Sequence, residues 1–184
     1  MRAIPGMVVI NPSDDVEARA AVHAAFEHEG PVYLRFGRLA VPVINDEASY
    51  KFELGKGVEL KDGKDCTIIA TGLCVSEALA AADILAKEGI DAQIINIHTI
   101  KPIDEDIIVA AAEKTNRIFT VEEHSIIGGL GDAVAAVLSE KRPTRFTKIG
   151  VKDVFGESGP AVELLHKYEL DAEGIAKQVL EKLK

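Results

Sequence analysis

Thr67-Ile68-Ile69-Ala70-Thr71-Gly72 and Gln93-Ile94-Ile95-Asn96-Ile97 decide the fold of this chain. Both runs are β-branched and apolar along their length, without the alternation of a strand that faces water on one side. Each therefore reads as a strand covered by helices on both faces. Outward from this pair the rhythm is regular: helix Val75–Lys87 lies between them, then come helix Asp104–Thr115, strand Ile118–Val121, helix Gly129–Ser139 and strand Arg145–Ile149. Alternation of this kind predicts a parallel, doubly wound sheet. Asp104, Glu105 and Asp106, just after Pro102, place acids in a first helical turn, where the helix dipole favours them.

Upstream, Gly57–Leu60 and Cys66–Thr71 flank Lys61-Asp62-Gly63-Lys64-Asp65. An Asp-Gly pair between strand-like runs predicts an antiparallel hairpin whose first strand is a sheet edge. Downstream, Ala161–Tyr168 and Ala172–Leu183 read as helices, the second with Asp171 as its N-cap. The fold class is α/β: a three-layer, doubly wound, mostly parallel sheet of about five strands with one antiparallel edge strand.

A βαβ piece precedes it. Met7–Ile10 is a short apolar run, and Asn11-Pro12-Ser13-Asp14 supplies turn and capping chemistry, Asp14 and Glu17 being spaced as a capping-box variant. Val16, Ala20, Val22, Ala24 and Phe26 form one side of the helix that follows; Gly30-Pro31 ends it and Val32–Phe36 is a second strand. Such a unit needs neighbouring strands, so Met1–Phe36 is expected to be a place of disorder, rearrangement or self-association, and a homodimer is expected. Gly37–Lys56 shows no sustained period. The expected division is therefore 1–37 for the βαβ piece, 38–56 for a linker and 57–184 for the second domain.

Composition excludes several classes of function. The 184 residues carry a net charge of −9 with a pI near 5.1, which repels phosphate backbones and anionic lipid, so neither nucleic acid nor membrane is expected as a partner. No apolar run approaches the roughly 20 residues of a membrane span, and no signal segment opens the chain, so a cytoplasmic protein is expected. Cys66 and Cys74 lack a C-x-x-C spacing and read as buried thiols, and His23, His28, His98, His124 and His166 show no ligand spacing, so no metal is expected.

Chemistry in such a sheet favours loops at the carboxyl ends of the strands. Thr71-Gly72-Leu73-Cys74 would admit a phosphate, but a tight turn explains Gly72 equally well. His98 and Lys101 in Asn96–Pro102 offer a base and an anion contact, or only a hydrogen-bonding loop. Glu122-Glu123-His124-Ser125 leads to Gly128-Gly129-Leu130-Gly131-Asp132, where Glu122 beside His124 is either an acid/base pair or part of a subunit contact. The glycine spacing is not that of a dinucleotide fingerprint, and Ser125 next to His124 is no triad. In Arg35-Phe36-Gly37-Arg38, an arginine could grip a phosphate bidentately or simply be solvated.

Asn11-Pro12-Ser13-Asp14, Gly30-Pro31-Val32-Tyr33-Leu34-Arg35, Thr67–Gly72 and His98-Thr99-Ile100-Lys101-Pro102-Ile103-Asp104 together resemble the C-terminal section of transketolases. Glu122-Glu123-His124, Gly128-Gly129-Leu130-Gly131 and Asp153-Val154-Phe155-Gly156-Glu157-Ser158-Gly159 extend the resemblance and are most like the split or short forms. It implies that residues 1–37 are the last piece of a pyrimidine-binding domain and 57–184 a transketolase C-terminal domain. It also implies a thiamine-diphosphate-dependent parent, using magnesium, that transfers two-carbon ketol units between sugar phosphates in the pentose phosphate pathway, with an N-terminal section or subunit as partner.

The family's diphosphate-metal motif, G-D-G followed by paired asparagines, does not occur here, and the activating glutamate would lie upstream of Met1. The resemblance therefore implies no catalytic, cofactor-binding or metal residue in this stretch, an isolated chain that is inactive, and scaffold and dimer-interface roles. One residue carries over: Arg38 matches the arginine that grips the phosphate of the sugar substrate. Two other readings stand beside this one. The chain could be an independent regulatory or assembly module that binds a small anion at Gly72 or Gly128–Gly131. It could also be part of a 2-oxoacid dehydrogenase β subunit or of a deoxyxylulose-phosphate synthase.

Overall fold

A computed structural model describes residues 1–183. Its main sheet has five strands: β3 (Val58–Lys61), β4 (Cys66–Ala70), β5 (Ala92–Asn96), β7 (Arg117–Ser125) and β8 (Arg145–Val151), in the spatial order β3-β5-β4-β7-β8. Strands β5, β4, β7 and β8 run parallel, and β3 is antiparallel at the edge. Helices α2 (Cys74–Lys87) and α6 (Ala172–Leu183) cover one face, packing on Ile68, Ala70, Phe119 and Val121. Helices α3 (Glu105–Thr115) and α4 (Leu130–Lys141) cover the other, packing on Ile69, Ile95 and Ile118. All five residues of β4 and of β5 are buried, as two-sided cover requires. The α/β class and the mostly parallel five-stranded sheet with an antiparallel edge follow the sequence reading.

The hairpin does not. β3 is an edge strand, but it pairs with β5, while β4 lies on the far side of β5. The connection through Asp62 and Gly63 therefore crosses the start of β5. Lys64 N and Asp65 N both donate to Asp91 O, at 3.0 and 2.9 Å, which fastens that crossing.

Residues 1–57 add a small sheet. Strand β1 (Val8–Ile10) pairs in parallel with β2 (Val32–Leu34) through helix α1 (Asp15–Glu27). Its other edge is taken by a strand absent from the sequence reading, β6 (Thr99–Lys101), which runs antiparallel to it. The βαβ piece is thus integrated into the rest of the chain instead of presenting β1 as a bare edge.

The expected apolar side of α1 is also corrected. Glu17 and Ala21 are its buried residues, whereas Val22 is 47% and Phe26 91% exposed. The segment read as a linker is pinned down as a strap. Ile44 N and Asn45 N donate to Asp14 Oδ2 at 2.9 and 2.8 Å, Phe52 lies 4.3 Å from the His98 ring, and Gly57 N donates to Asp104 Oδ2 at 2.9 Å. The tail carries α5 (Ala161–Lys167) ahead of α6.

Candidate functional site

After β4 the chain turns through α2 to β5 on one side; after β7 it turns through α4 to β8 on the other. The loops at the ends of β4 and β7 therefore diverge and open a crevice, the place where open α/β sheets bind ligands. A hollow of about 120 Å³ lies there, lined by Asn11, Arg35, Thr71, Glu122, His124 and Gly129 among others.

Glu122, in β7 just past its last residue paired with β4 and 2% exposed, points its carboxylate at the first turn of α4. Leu130 N donates to Oε2 at 2.7 Å and Gly131 N to Oε1 at 2.8 Å. These are N–H groups that a helix start leaves without internal partners, and an anion there also meets the positive end of the helix dipole. Gly129 makes room for it, since a Cβ at that position would stand 1.9 Å from Glu122 Oε2. Burial pushes the Glu122 carboxyl above its ordinary range, although the two N–H donors favour the charged form. Gly128 N donates to Asp132 Oδ2 at 2.6 Å, and Asp132 in turn pairs with Lys148 at 2.7 Å. The glycine loop is thus filled by the protein's own carboxylates.

His124 does not form an acid/base pair with Glu122. Its Nδ1 donates to Ser125 O at 2.7 Å and stands 3.8 Å from the Glu122 carboxylate, beyond hydrogen-bond reach. Ser125 Oγ accepts from Ile127 N at 3.2 Å, which gives it a local turn role.

The other two loops are structural as well. Gly72 has φ +59°, and a Cβ there would stand 2.6 Å from the Asn11 side chain, so the turn after β4 packs against the end of β1. His98 is 1% exposed, shares a 2.9 Å hydrogen bond with Thr99 Oγ1, and is held below its ordinary pKa by burial. Lys101 Nζ donates to Arg2 O and Ile4 O at 2.9 and 2.6 Å, latching the first residues.

The two arginines after β2 differ. Arg35 Nη2 donates to Glu123 O at 2.8 Å and lies 3.9 Å from that residue's carboxylate. Arg38 is exposed, and among the described residues no carboxylate pairs with it. It stands on a second cleft, of about 570 Å³, shared with Leu73, Glu123, Ser158, Leu164 and Tyr168. The Tyr168 hydroxyl is buried there without a hydrogen-bond partner.

Sequence reasoning missed a buried polar network. Glu17, inaccessible in α1, accepts from Ser13 N at 2.6 Å, from Asn96 Nδ2 at 2.8 Å and from the Tyr50 hydroxyl. The signal was within reach: Asp14 Oδ1 accepts from Glu17 N at 2.9 Å, half of the expected capping box, and the other half swings Glu17 inward onto Ser13 N.

Comparison with known proteins agrees along the whole chain. The profile of the transketolase C-terminal domain matches residues 55–175, and that of the transketolase pyrimidine-binding domain matches residues 1–43. A protein of Methanocaldococcus jannaschii, provisionally named a transketolase C-terminal section, is 50% identical over 100% of this chain and 58% of its own length. A 6-deoxy-6-sulfo-D-fructose transketolase subunit of a Clostridium species is 45% identical over 96% of the chain and 55% of its own length. The 1-deoxy-D-xylulose-5-phosphate synthase of Syntrophotalea carbinolica is 39% identical over 97% of the chain, which spans only 28% of that protein. A solved split-gene transketolase, described as an inactive β4 tetramer, superimposes with a TM-score of 0.95 at 48% identity, over 100% of this chain and 60% of that one. The chain thus spans a little over half the length of the curated split relatives it matches. It belongs to the transketolase family, and carries that family's C-terminal domain behind the closing piece of a pyrimidine-binding domain.

Proposed function

We propose that this chain is part of the C-terminal section of a split transketolase, a section that joins an N-terminal one to transfer two-carbon ketol units between sugar phosphates. The observation that carries this reading is the end-to-end superposition on a split-gene transketolase, with a TM-score of 0.95 over 100% of the chain. Arg38 is its contribution to the substrate: an exposed guanidinium without an ion-pair partner, held at the end of the βαβ piece, suits bidentate contact with a terminal phosphate.

Thiamine diphosphate, when bound in the complete enzyme, supplies the carbanion chemistry of the transfer. The residues of this chain do not fit a diphosphate and its metal. Among the described residues no group of three His, Cys, Asp or Glu could hold a cation, and the N–H groups of α4 are already given to Glu122. Cofactor and metal binding are therefore assigned to parts of the enzyme outside this stretch, the partner section among them. The same occupancy weighs against the chain as an independent anion-binding module.

The test is reconstitution. The purified chain, mixed with the N-terminal section of a split relative, the upstream remainder of that relative's C-terminal section, thiamine diphosphate and Mg²⁺, is assayed for ketol transfer from a phosphorylated donor. The chain alone is expected to be inactive and the mixture active, and Arg38→Ala is expected to raise KM for phosphorylated sugars far more than it lowers kcat. Transfer by the pure chain would sink the proposal. Activity only with pyruvate and glyceraldehyde phosphate would move the assignment to deoxyxylulose-phosphate synthesis, the reaction named for the 39% identical relative.

A further inference from the structure

The hollow of about 120 Å³ at the sheet crevice is lined by polar groups that the fold itself does not use, and Asn11 is the clearest of them. Its backbone is engaged on both sides: Asn11 N donates to His98 O at 2.8 Å, and Asn11 O accepts from Thr71 Oγ1 at 3.3 Å. Asn11 is only 9% exposed, yet its side-chain amide makes no hydrogen bond among the described residues. Gly72 leaves room for that amide, since a Cβ there would stand 2.6 Å from Asn11 Nδ2 and 2.8 Å from Oδ1. Buried amides in folded proteins have partners, and this one faces a space large enough to admit one.

The charge on the lining favours an anion. Arg2 donates through Nε to Gly128 O at 3.0 Å, and among the described residues no carboxylate pairs with its guanidinium. Arg35 spends Nη2 on Glu123 O and lies 3.9 Å from the Glu123 carboxylate, which lines the other cleft and not this hollow. Glu122 is the one carboxylate on the lining among the described residues, and the Leu130 and Gly131 amides already hold it. The glycine-loop amides being spent in this way, recognition falls to side chains. Much of the remaining lining is apolar, from Val9, Tyr33 and Ile100.

The geometry points to a binding site for a short 2-hydroxycarboxylate, of the size of lactate or glycerate, with its carboxylate on Arg35 and Arg2 and its hydroxyl on the Asn11 amide. A carboxylate can only accept, which suits the guanidinium N–H groups but leaves Asn11 Oδ1 unanswered; a hydroxyl both donates and accepts, as the amide requires. A cavity of about 150 Å³ takes a ligand of about six heavy atoms, which sets the scale for this one. Asn11 and Arg35 follow β1 and β2 of the small sheet, whereas Glu122 and His124 belong to β7 of the main sheet, so the ligand bridges the two sheets. The site uses neither Arg38 nor thiamine diphosphate, and so stands apart from the proposed ketol transfer.

The experiment is titration of the purified full chain with sodium lactate and with sodium propionate, at constant ionic strength in chloride, followed by saturation-transfer NMR and thermal unfolding. Propionate keeps the carboxylate and the carbon chain but lacks the hydroxyl. Lactate is expected to bind saturably, with a Kd on the order of a millimolar or below, and to raise the unfolding midpoint. Propionate should bind at least about tenfold more weakly, because it leaves the Asn11 amide unpaired. Asn11→Ala should bind both acids alike and weakly, while Arg35→Gln should weaken both by about tenfold or more. Arg145→Gln, an exposed arginine at the far end of β8, is the control for general loss of charge and should bind lactate as the wild type does. The comparison of the two acids on the wild type needs no variant to fold, and circular dichroism checks those that are used. No saturable lactate binding by the wild type up to tens of millimolar would overturn the inference. So would equal affinity for lactate and propionate, or lactate binding unchanged in folded Arg35→Gln. None of these outcomes bears on reconstituted ketol transfer, so the two proposals fail separately.

Discussion

Glu122 caps Gly131: its carboxylate lies 2.8 Å from the Gly131 amide and 2.7 Å from that of Leu130, where a helix start at a sheet's switch point would otherwise hold a bound anion. The protein has built its own anion into the crevice. Glu122→Ala should leave two buried N–H groups without acceptors and cost about 2–4 kcal/mol of stability, measured by urea denaturation. Phosphate or sulfate should return part of that loss to the variant by filling the vacated position, while chloride at equal ionic strength should not. Equal denaturation midpoints in the two salts would refute the surrogate-anion account.

The same carboxyl sets a pH dependence. Its folded pKa is raised by burial above the ordinary 4.5, so between those two values the folded state holds more proton than the unfolded. Its contribution to stability is therefore complete below about pH 4.5 and is lost as pH rises through the folded value. Glu122→Gln removes the titration while keeping an acceptor oxygen. Subtracting the variant's stability profile from that of the wild type should give a curve that falls with rising pH in this window.

His98 works in the opposite sense. Burial lowers its folded pKa below 6.5, so the unfolded state takes up the proton first and stability is lost as pH falls from 6.5 towards the folded value. The slope should not exceed about 1.4 kcal/mol per pH unit for one group. His98→Gln should flatten the profile in this range, and since Phe52 stacks at 4.3 Å on the ring, it should also lower stability uniformly. A difference between the wild-type and His98→Gln profiles that does not change with pH below 6.5 would count against the buried, neutral histidine.

Tyr50→Phe tests whether residues 38–56 are a strap or a loose tether. The Tyr50 hydroxyl donates to the inaccessible Glu17 carboxylate, and Glu17 also receives Asn96 Nδ2, so one side chain ties α1, the strap and β5 together. Removing the hydroxyl leaves a buried carboxylate short of one donor and should cost about 1–3 kcal/mol. A tether would lose nothing measurable.

Much of this architecture was legible because burial on two faces writes a strong pattern. β4 and β5 read as continuous apolar runs, and their helices carried visible starts, such as Asp104, whose Oδ1 accepts from Ile107 N at 3.3 Å. Pairing between distant segments was not legible. β6 is three residues long, in a loop whose polar residues fitted a turn equally well, and only its contact with β1 makes it a strand. Glu17 was legible as a capping partner of Asp14, but its burial was not, because the groups that satisfy its carboxylate come from 33 and 79 residues away. Of the site, the crevice loops were found as places, but their occupancy by Glu122 and Asp132 rests on side-chain direction, which spacing does not encode.

Gly63 separates the two accounts of the segment after β3. In a two-residue hairpin turn the glycine is there for positive φ, and asparagine serves nearly as well. In the structure Gly63 is instead pressed onto the start of β5, where a Cβ would stand 2.2 Å from Gln93 N and 2.3 Å from the Ala92 carbonyl carbon. Backbone on both sides has nowhere to go, because Asp91 O holds Lys64 N and Asp65 N, and Ala92 and Gln93 are paired to Cys66 and Thr67. Gly63→Ala and Gly63→Asn should therefore both cost about 2–4 kcal/mol. Gly89, with φ +80° and nothing within 4 Å of its would-be Cβ, is the control: Gly89→Ala should cost only about 1 kcal/mol, and Gly89→Asn less, because the demand there is conformational. If Gly63→Asn proved as mild as Gly89→Asn, the crossing over β5 would be wrong and the hairpin right.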